Sequence, residues 1–444
     1  MKITSVFQHP TGLYILFFTE MWERFSYYGM RAILVLFLVS ESSRAENPGW
    51  GWTDSEALAL YGWYTMAVYL AAVPGGWLAD RWLGQKRAVI LGGFLLCAGH
   101  LILALETVCT FYTGLALIIA GVGCLKPNIS TLVGELYAPK DLRREAGFYL
   151  FYIGINIGAL LGMVGVAVVG EFYGWQLGFG LAGLGMVLGQ AVFVWGQRYL
   201  RGVGDSPGRQ KDNDFVVSPL TYVEKDRMRV LLLSFLIVIV FWGAYEQAGG
   251  LMTLYASEKT DRFVGGWEIP AGAFQGAAAL YIILFGLAVA YFWQRWYAAG
   301  QESSALFKMA VGVMVMGLGF LFMSAASVQF EHTGSSALWW LLLAYFFHVL
   351  GELCISPVAL SFITRLAPLR YASFMMGTYF AATGLGNKLA GELGRYAGQV
   401  GEFALFTGIA VFCIAFGLLL IALLRPLNRL THGIEQVDTE SAST

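Results

Sequence analysis

Seven ionisable side chains fall inside apolar stretches of this chain: Glu20, Glu23, Arg24, Arg31, Lys126, Glu246 and Glu352. Acids and bases mixed in such surroundings can do two kinds of chemistry. A carboxylate can take up and release a proton, and a guanidinium or ammonium can hold the anionic end of a solute. Four of the seven lie in one run, E-M-W-E-R-F-S-Y-Y-G-M-R, from Glu20 to Arg31. At about 100° per residue on a helix, Glu20, Glu23, Arg24, Tyr27, Tyr28 and Arg31 share an arc of roughly 140°. A charge at the bilayer centre costs ~2.5–3.5 kcal/mol on insertion scales. Four of them need a face turned to protein or water, so the run predicts one wall of a polar cavity at membrane depth.

The count narrows the chemistry. Four of the seven are acids and three are bases, which leaves one carboxylate in excess. A carboxylate able to carry a proton in a cavity between two halves is what proton-coupled transport requires. Any one buried charge reads equally well as a structural ion pair. Seven on four helices favour a functional set. The Gly-rich run before Lys126, G-V-G-C-L-K-P, is not a phosphate loop, because no Ser or Thr follows the Lys and no strand precedes it. Gly121, Gly123 and Pro127 instead let the helix bend and pack closely. Lys388 reads as a snorkelling side chain near a helix end. His100 and His348 read as packed, hydrogen-bonded residues.

Tyr27, Tyr28, Tyr69, Trp242 and Tyr379 share helices or neighbourhoods with these charges. Such residues suit a wet pocket that accepts varied side chains. The segment G-G-W-L-A-D-R-W-L-G-Q-K-R, Gly75 to Arg87, joins the second and third spans. Its Asp80, Arg81 and Arg87 at the membrane edge predict a conformational latch. The alternative is a plain basic loop that only sets topology.

The elements that must position these residues are membrane helices. The chain has 444 residues, 57% of them hydrophobic and 13% charged. Soluble domains carry about 25% charged residues, so this is an all-α integral membrane protein. A net charge of −1 gives no sign of nucleic-acid binding. Five cysteines lie in apolar runs without metal-ligand spacing and read as small buried apolar residues. The N-terminus lacks the pattern of a signal peptide, so the first span is the expected insertion signal. Twelve apolar stretches of spanning length run from about 13–39 to about 402–424, with 229–256 read as one unbroken span. The polar segment 199–228 divides them six and six. The expected organisation is 1–198 as one six-helix bundle, 199–228 as a cytoplasmic linker, 229–430 as a second bundle and 431–444 as a polar tail. Lys and Arg cluster in alternate loops, which predicts both termini in the cytoplasm.

These motifs together resemble the proton-dependent oligopeptide transporter family of the major facilitator superfamily, in its bacterial form. Glu20 to Tyr28 match the family's E-x-x-E-R-F-x-Y-Y signature, and Gly75 to Arg87 match the superfamily's loop motif. Further matches are G-x-G-x-x-K-P around Lys126, F-Y-x-x-I-N-x-G at Phe151 to Gly158, F-W-x-x-x-E-Q ending at Gln247, and G-E-L-C-x-S-P at Gly351 to Pro357. The resemblance implies the major facilitator fold, twelve spans in two bundles, in a bacterial inner membrane. Arg24 and Lys126, with Tyr28, resemble the family's clamp for a peptide carboxylate. Glu352 and Asn156 resemble its holders of the amino group. Arg31 and Glu246 resemble its proton-sensitive interdomain pair, and Glu20 and Glu23 its first-helix proton-coupling acids. Tyr27, Tyr69, Trp242 and Tyr379 would line side-chain pockets.

Three features depart from the family's pattern. Ala278 stands where an Asn usually helps hold the amino terminus. The 199–228 segment is too short and polar for the extra helix pair of many bacterial members. No His lies on the second helix. The implied function is proton-coupled import of di- and tripeptides by a monomer, with membrane lipid around it and no cofactor or metal beyond the coupling proton. The alternatives are a same-fold carrier of another small solute, such as a modified amino acid, and a peptide sensor that moves nothing. No paired His, G-x-S-x-G or metal-ligand cluster points to an enzyme.

Overall fold

A computed structural model describes residues 9–43, 47–105, 107–138, 141, 143–205, 220–368 and 372–433. Residues 206–219 of the expected linker and 434–444 of the expected tail lie outside the described residues.

Among the described residues the chain forms twelve long helices, here α1 to α12. They are Thr11–Val39, Asp54–Leu78, Gln85–Leu103, Val108–Glu135, Arg143–Tyr173, Trp175–Gly196, Tyr222–Tyr245, Gly276–Ala298, Ala305–Thr333, Leu338–Leu366, Ala372–Arg395 and Glu402–Ala422. Local sequence explains where several begin. Thr53 with Glu56, Thr107 with Thr110 and Thr221 with Glu224 form reciprocal capping boxes at the starts of α2, α4 and α7. The join between α2 and α3 is tighter than a loop. A π-helical turn, Ala79–Leu83, continues α2, and Gly84 at φ 76° turns the chain directly into α3.

Among the described residues, ten helical spans are long and apolar enough to cross a membrane. The two long helices outside that set are α1, with four charges in its middle, and α11, whose polar C-terminal third carries Lys388, Glu392 and Arg395. Helix α1 escapes the cost of its charges by burial: from Glu23 to Leu38 every residue but Tyr28 is buried. It meets protein on nearly every side, which also accounts for its survival as a helix inside a hydrophobic slab.

The contacts divide the chain into two units, one of 1–211 with 262–283 and one of 212–261 with 284–444. In the first, α1 packs on α5 and α6, α3 on α4 and α6, and α2 on α4. In the second, α7 packs on α11, and α9 on α10 and α12. Three of these pairings recur six helices on, α1–α5 as α7–α11, α3–α4 as α9–α10 and α3–α6 as α9–α12, as expected of a parallel internal repeat. Two short sheets accompany them. Thr260–Asp261 pairs in parallel with Ser336–Ala337, and Phe263–Val264 forms a hairpin with Trp267–Glu268.

Close approach of α2 and α4 depends on glycine. A Cβ on Gly75 would collide with the Gly123 carbonyl, and one on Gly123 would lie 2.5 Å from the Ala71 carbonyl oxygen. Gly121 likewise sits against the Gly92 carbonyl of α3. The packing role expected of Gly121 and Gly123 is therefore observed.

Two expectations need correction. The 229–256 span is broken: α7 ends at Tyr245, a 3-10 turn runs Glu246–Gly249, and a new helix runs Leu251–Lys259. The cause is local, since Gly249 and Gly250 follow directly and Gly250 takes φ −114°, ψ −102°. The cysteines are all free, but Cys109 is exposed and Cys97 only half-buried, so two of the five are not core residues. They sit on helix faces that the protein leaves uncovered.

Candidate functional site

In the first unit the site is built around Arg24. Its Nε lies 2.9 Å from a carboxylate oxygen of Glu20, one turn earlier, and it also pairs with Glu23. Glu20, Glu23, Arg24, Tyr27 and Arg31 are all buried. The Arg24 guanidinium lies 5.8 Å from the ring centres of both Tyr27 and Tyr28. Arg31 lies 5.0 Å from Tyr28 and 5.9 Å from Tyr61 of α2. Tyr28 is therefore shared by two cations, each two turns or less away along one helix face. That placement follows from the i, i+3 and i, i+4 geometry of the signature.

Lys126 enters this unit from α4. Its ammonium lies 4.3 Å from the ring centre of Tyr69 on α2, well within cation–π range. Glycine packing of α2 on α4 brings the two together. Asn156 on α5 is buried, and one of its amide hydrogens is given to the Tyr152 carbonyl at 2.9 Å. Ala278, near the start of α8, is half-buried and belongs to the same unit.

The second unit gathers acids and aromatics. Glu246 is buried in the broken turn after α7. Its neighbour Gln247 donates to the Ala390 carbonyl of α11 at 2.9 Å, which anchors the break. The freed Ala248 carbonyl accepts from Thr253 at 2.8 Å and from Tyr345 at 3.2 Å. Irregular backbone inside a membrane segment has to be satisfied in this way. Glu352 on α10 hydrogen-bonds Tyr245 and has Glu246 nearby. Tyr379 on α11 neighbours both Glu352 and Trp242. The structure thus brings Trp242, Glu246, Glu352 and Tyr379 together, as it does Arg24, Tyr27, Tyr28 and Arg31.

The charges are divided unevenly. Arg24, Arg31 and Lys126 accompany Glu20 and Glu23 in the first unit, a surplus of one cation. Glu246 and Glu352 form an acidic pair in the second. Lys388, on α11, is taken up by Glu392 one turn on, which fits its expected marginal role.

The expected latch residues are exposed, and among the described residues Asp80 makes no ion pair with Arg81 or Arg87. Arg81 lies 5.7 Å over the Trp77 ring. The cation of this segment that ties two elements together is Lys86. Its ammonium meets Asp205 at 2.5 Å and the Leu200 carbonyl at 3.2 Å, and its own N–H reaches the Gly204 carbonyl at 3.1 Å. The two histidines also differ. His100 pairs with the Leu96 carbonyl at 2.9 Å, whereas His348 packs 4.5 Å from the Phe320 ring with neither ring nitrogen hydrogen-bonded.

The chain has clear relatives among known proteins. A family model described as the POT family matches residues 86–225 and 221–400. The chain belongs to the POT family. It is 34% identical to the peptide transporter YePEPT of Yersinia enterocolitica, over 98% of each chain. It is 31% identical to a di-/tripeptide transporter of Lactococcus lactis, over 97% of this chain and 98% of the relative. It matches a crystal structure of a peptide transporter POT in complex with sulfate at TM-score 0.88, 35% identity and 96% coverage of both chains. The twelve helices of this POT-family chain therefore have the major facilitator architecture, and its relatives are transporters rather than enzymes.

Sequence reasoning missed three participants in this POT-family chain. Tyr61 lies one face away from Tyr69 on α2 and was legible only as an apolar aromatic. Tyr245 directly precedes Glu246, and its contact with Glu352 required the pairing of α7 with α10. Glu171, at the end of α5, accepts the N–H groups of Ala271 and Gly272. Its signal was an acid two residues from the end of an apolar span.

Proposed function

We propose that this chain is a proton-coupled symporter that imports di- and tripeptides by alternating access. It would work as a monomer in a bacterial inner membrane, with both termini in the cytoplasm and the proton as its only coupling ion. The observation that carries this reading is the division of charge: a cationic surplus around Arg24 and Lys126, and the acidic pair Glu246 and Glu352. A zwitterionic peptide needs a cationic partner for its carboxylate and an anionic one for its amino group. A simple anion has no use for Glu352, and a simple cation none for Lys126.

On this reading Arg24 and Lys126, with Tyr28, receive the peptide carboxylate, and Glu352 with Asn156 receives the amino group. Tyr27, Tyr69, Trp242 and Tyr379 face the side chains. Glu20, Glu23, Glu246 and Arg31 exchange the proton. Asp80, Arg81 and Arg87 act at the membrane edge as a latch. The names and ligands of the relatives support the substrate class. The test is uptake by protein reconstituted in vesicles. Dialanine should accumulate only under an inward proton gradient, and accumulation indifferent to that gradient would overturn the proposal.

A further inference from the structure

The second unit contains a cavity of about 1140 Å³ whose walls include neither Glu246 nor Glu352. Ends of four long helices form it. Trp293 and Tyr297 come from the last turns of α8, Ser304 and Lys308 from the start of α9, Arg365 from the end of α10, and Arg425 and Arg429 from the segment after α12. Each of the corresponding apolar spans has one terminus here. The cavity therefore lies at the rim of the apolar slab, where Trp and Tyr mark the interface.

Its charge is strongly one-sided. Lys308, Arg365, Arg425 and Arg429 face a single carboxylate, Glu302. That carboxylate is engaged by its own loop, accepting the Ser304 N–H at 2.8 Å. Helix α9, 29 residues long, starts at this wall with no side-chain cap. The Ser304 hydroxyl instead accepts from Asn428 at 3.3 Å. The N-terminal end of so long a helix adds its own positive field to that of the four side chains. Lys308 lies 5.5 Å over the Trp293 ring, while the three arginines are exposed at the mouth.

A polar, cationic basin with aromatic walls fits a phosphate ester. It is far larger than a phosphate ion, and it opens where bilayer headgroups lie. We propose that this cavity seats the phosphate headgroup of an anionic phospholipid from the surrounding membrane. One such headgroup would bridge the ends of α8, α9 and α10 and the segment after α12. The inference rests on the membrane fold and not on the transported substrate, so its test uses no peptide.

The test is lipid retention by the full-length purified protein, read by native mass spectrometry after exchange into mixed vesicles of phosphatidylcholine and phosphatidylglycerol in equal parts. Wild type should keep phosphatidylglycerol in preference to phosphatidylcholine. Arg425→Gln with Arg429→Gln should lower that preference about fivefold for each cation removed. Arg425→Lys with Arg429→Lys should keep most of it. Lys225→Gln serves as a control, because Lys225 is exposed near the start of α7, where Arg227 meets the Thr431 carbonyl at 3.4 Å, yet does not line the cavity. Its preference should match wild type. Equal loss in the Lys225 variant would mean a general surface field and overturn the site. Displacement of the lipid by inorganic phosphate alone would assign the cavity to a soluble ion and overturn the lipid. Unchanged retention in the double Gln variant would overturn both.

Discussion

The Glu171 carboxylate accepts the backbone N–H of Gly272 at 2.8 Å through one oxygen, and that of Ala271 at 2.8 Å through the other. Arg262 stands 3.8 Å from the same group. The acid thus caps the 3-10 turn that leads into α8, where orphan N–H groups favour negative charge. This capping helps explain why residues 262–283 group with α1 and α5 rather than with the helices that follow them. Charge-assisted hydrogen bonds contribute about 1.5–3 kcal/mol each. Glu171→Gln should expose these amides, with exchange at Ala271 and Gly272 about tenfold faster or more by hydrogen–deuterium exchange. Unchanged protection would show that the carboxylate is incidental.

The Lys126–Tyr69 pair gives a second prediction. A cation–π contact of this kind contributes ~0.5–2 kcal/mol. Tyr69→Ala should weaken dipeptide binding by a few-fold to about thirtyfold, whereas Tyr69→Phe, which keeps the ring, should stay close to wild type. Equal loss in both variants would transfer the role to the hydroxyl.

Glu246 tests proton coupling separately from binding. Glu246→Gln keeps the shape of the broken turn and removes the ionisable group. Counterflow exchange of dialanine should persist, while accumulation driven by a proton gradient should fall to background. If gradient-driven uptake survives, Glu246 is not the coupling acid.

A fourth prediction concerns Asp141, outside the apolar spans. Its carboxylate accepts the Arg143 N–H at 2.9 Å and its guanidinium at 2.7 Å, which holds the acid down at about 2. A carboxyl depressed in the folded state stabilises above its ordinary value, near 3.9, and that contribution disappears as pH falls through about 2. Exchange protection of the first turn of α5 should be flat from neutral pH to about pH 5 and drop only between about 4 and 2. Asp141→Asn should show the weaker protection already at neutral pH and lack the further drop between about 4 and 2. A drop already present near neutral pH would contradict the pairing.

Much of this was legible in the chain itself, for physical reasons. Spans of about 20 apolar residues must be helices in a bilayer, so all twelve long helices could be placed. The α1 constellation was legible because its members are three or four residues apart, and helix geometry alone brings them together. Contacts between helices were harder. Tyr69 could be associated with Lys126 only as a neighbour of charges, since their meeting depends on how closely α2 and α4 pack. The break after Tyr245 was hidden because Ala248, Gly249 and Gly250 are apolar enough to pass for a continuing span. Lys86 was hidden among other loop cations, because only the path of residues 200–205 selects it as the paired one.

The contact of Gly75 with Gly123 has a mechanical consequence. With no side chain between these two backbones, a side chain at either position must push α2 and α4 apart. The separation of Tyr69 from Lys126 is set by that same gap. A methyl group at Gly75 would therefore stretch the hold of Tyr69 on Lys126, without any change in the pocket's own residues.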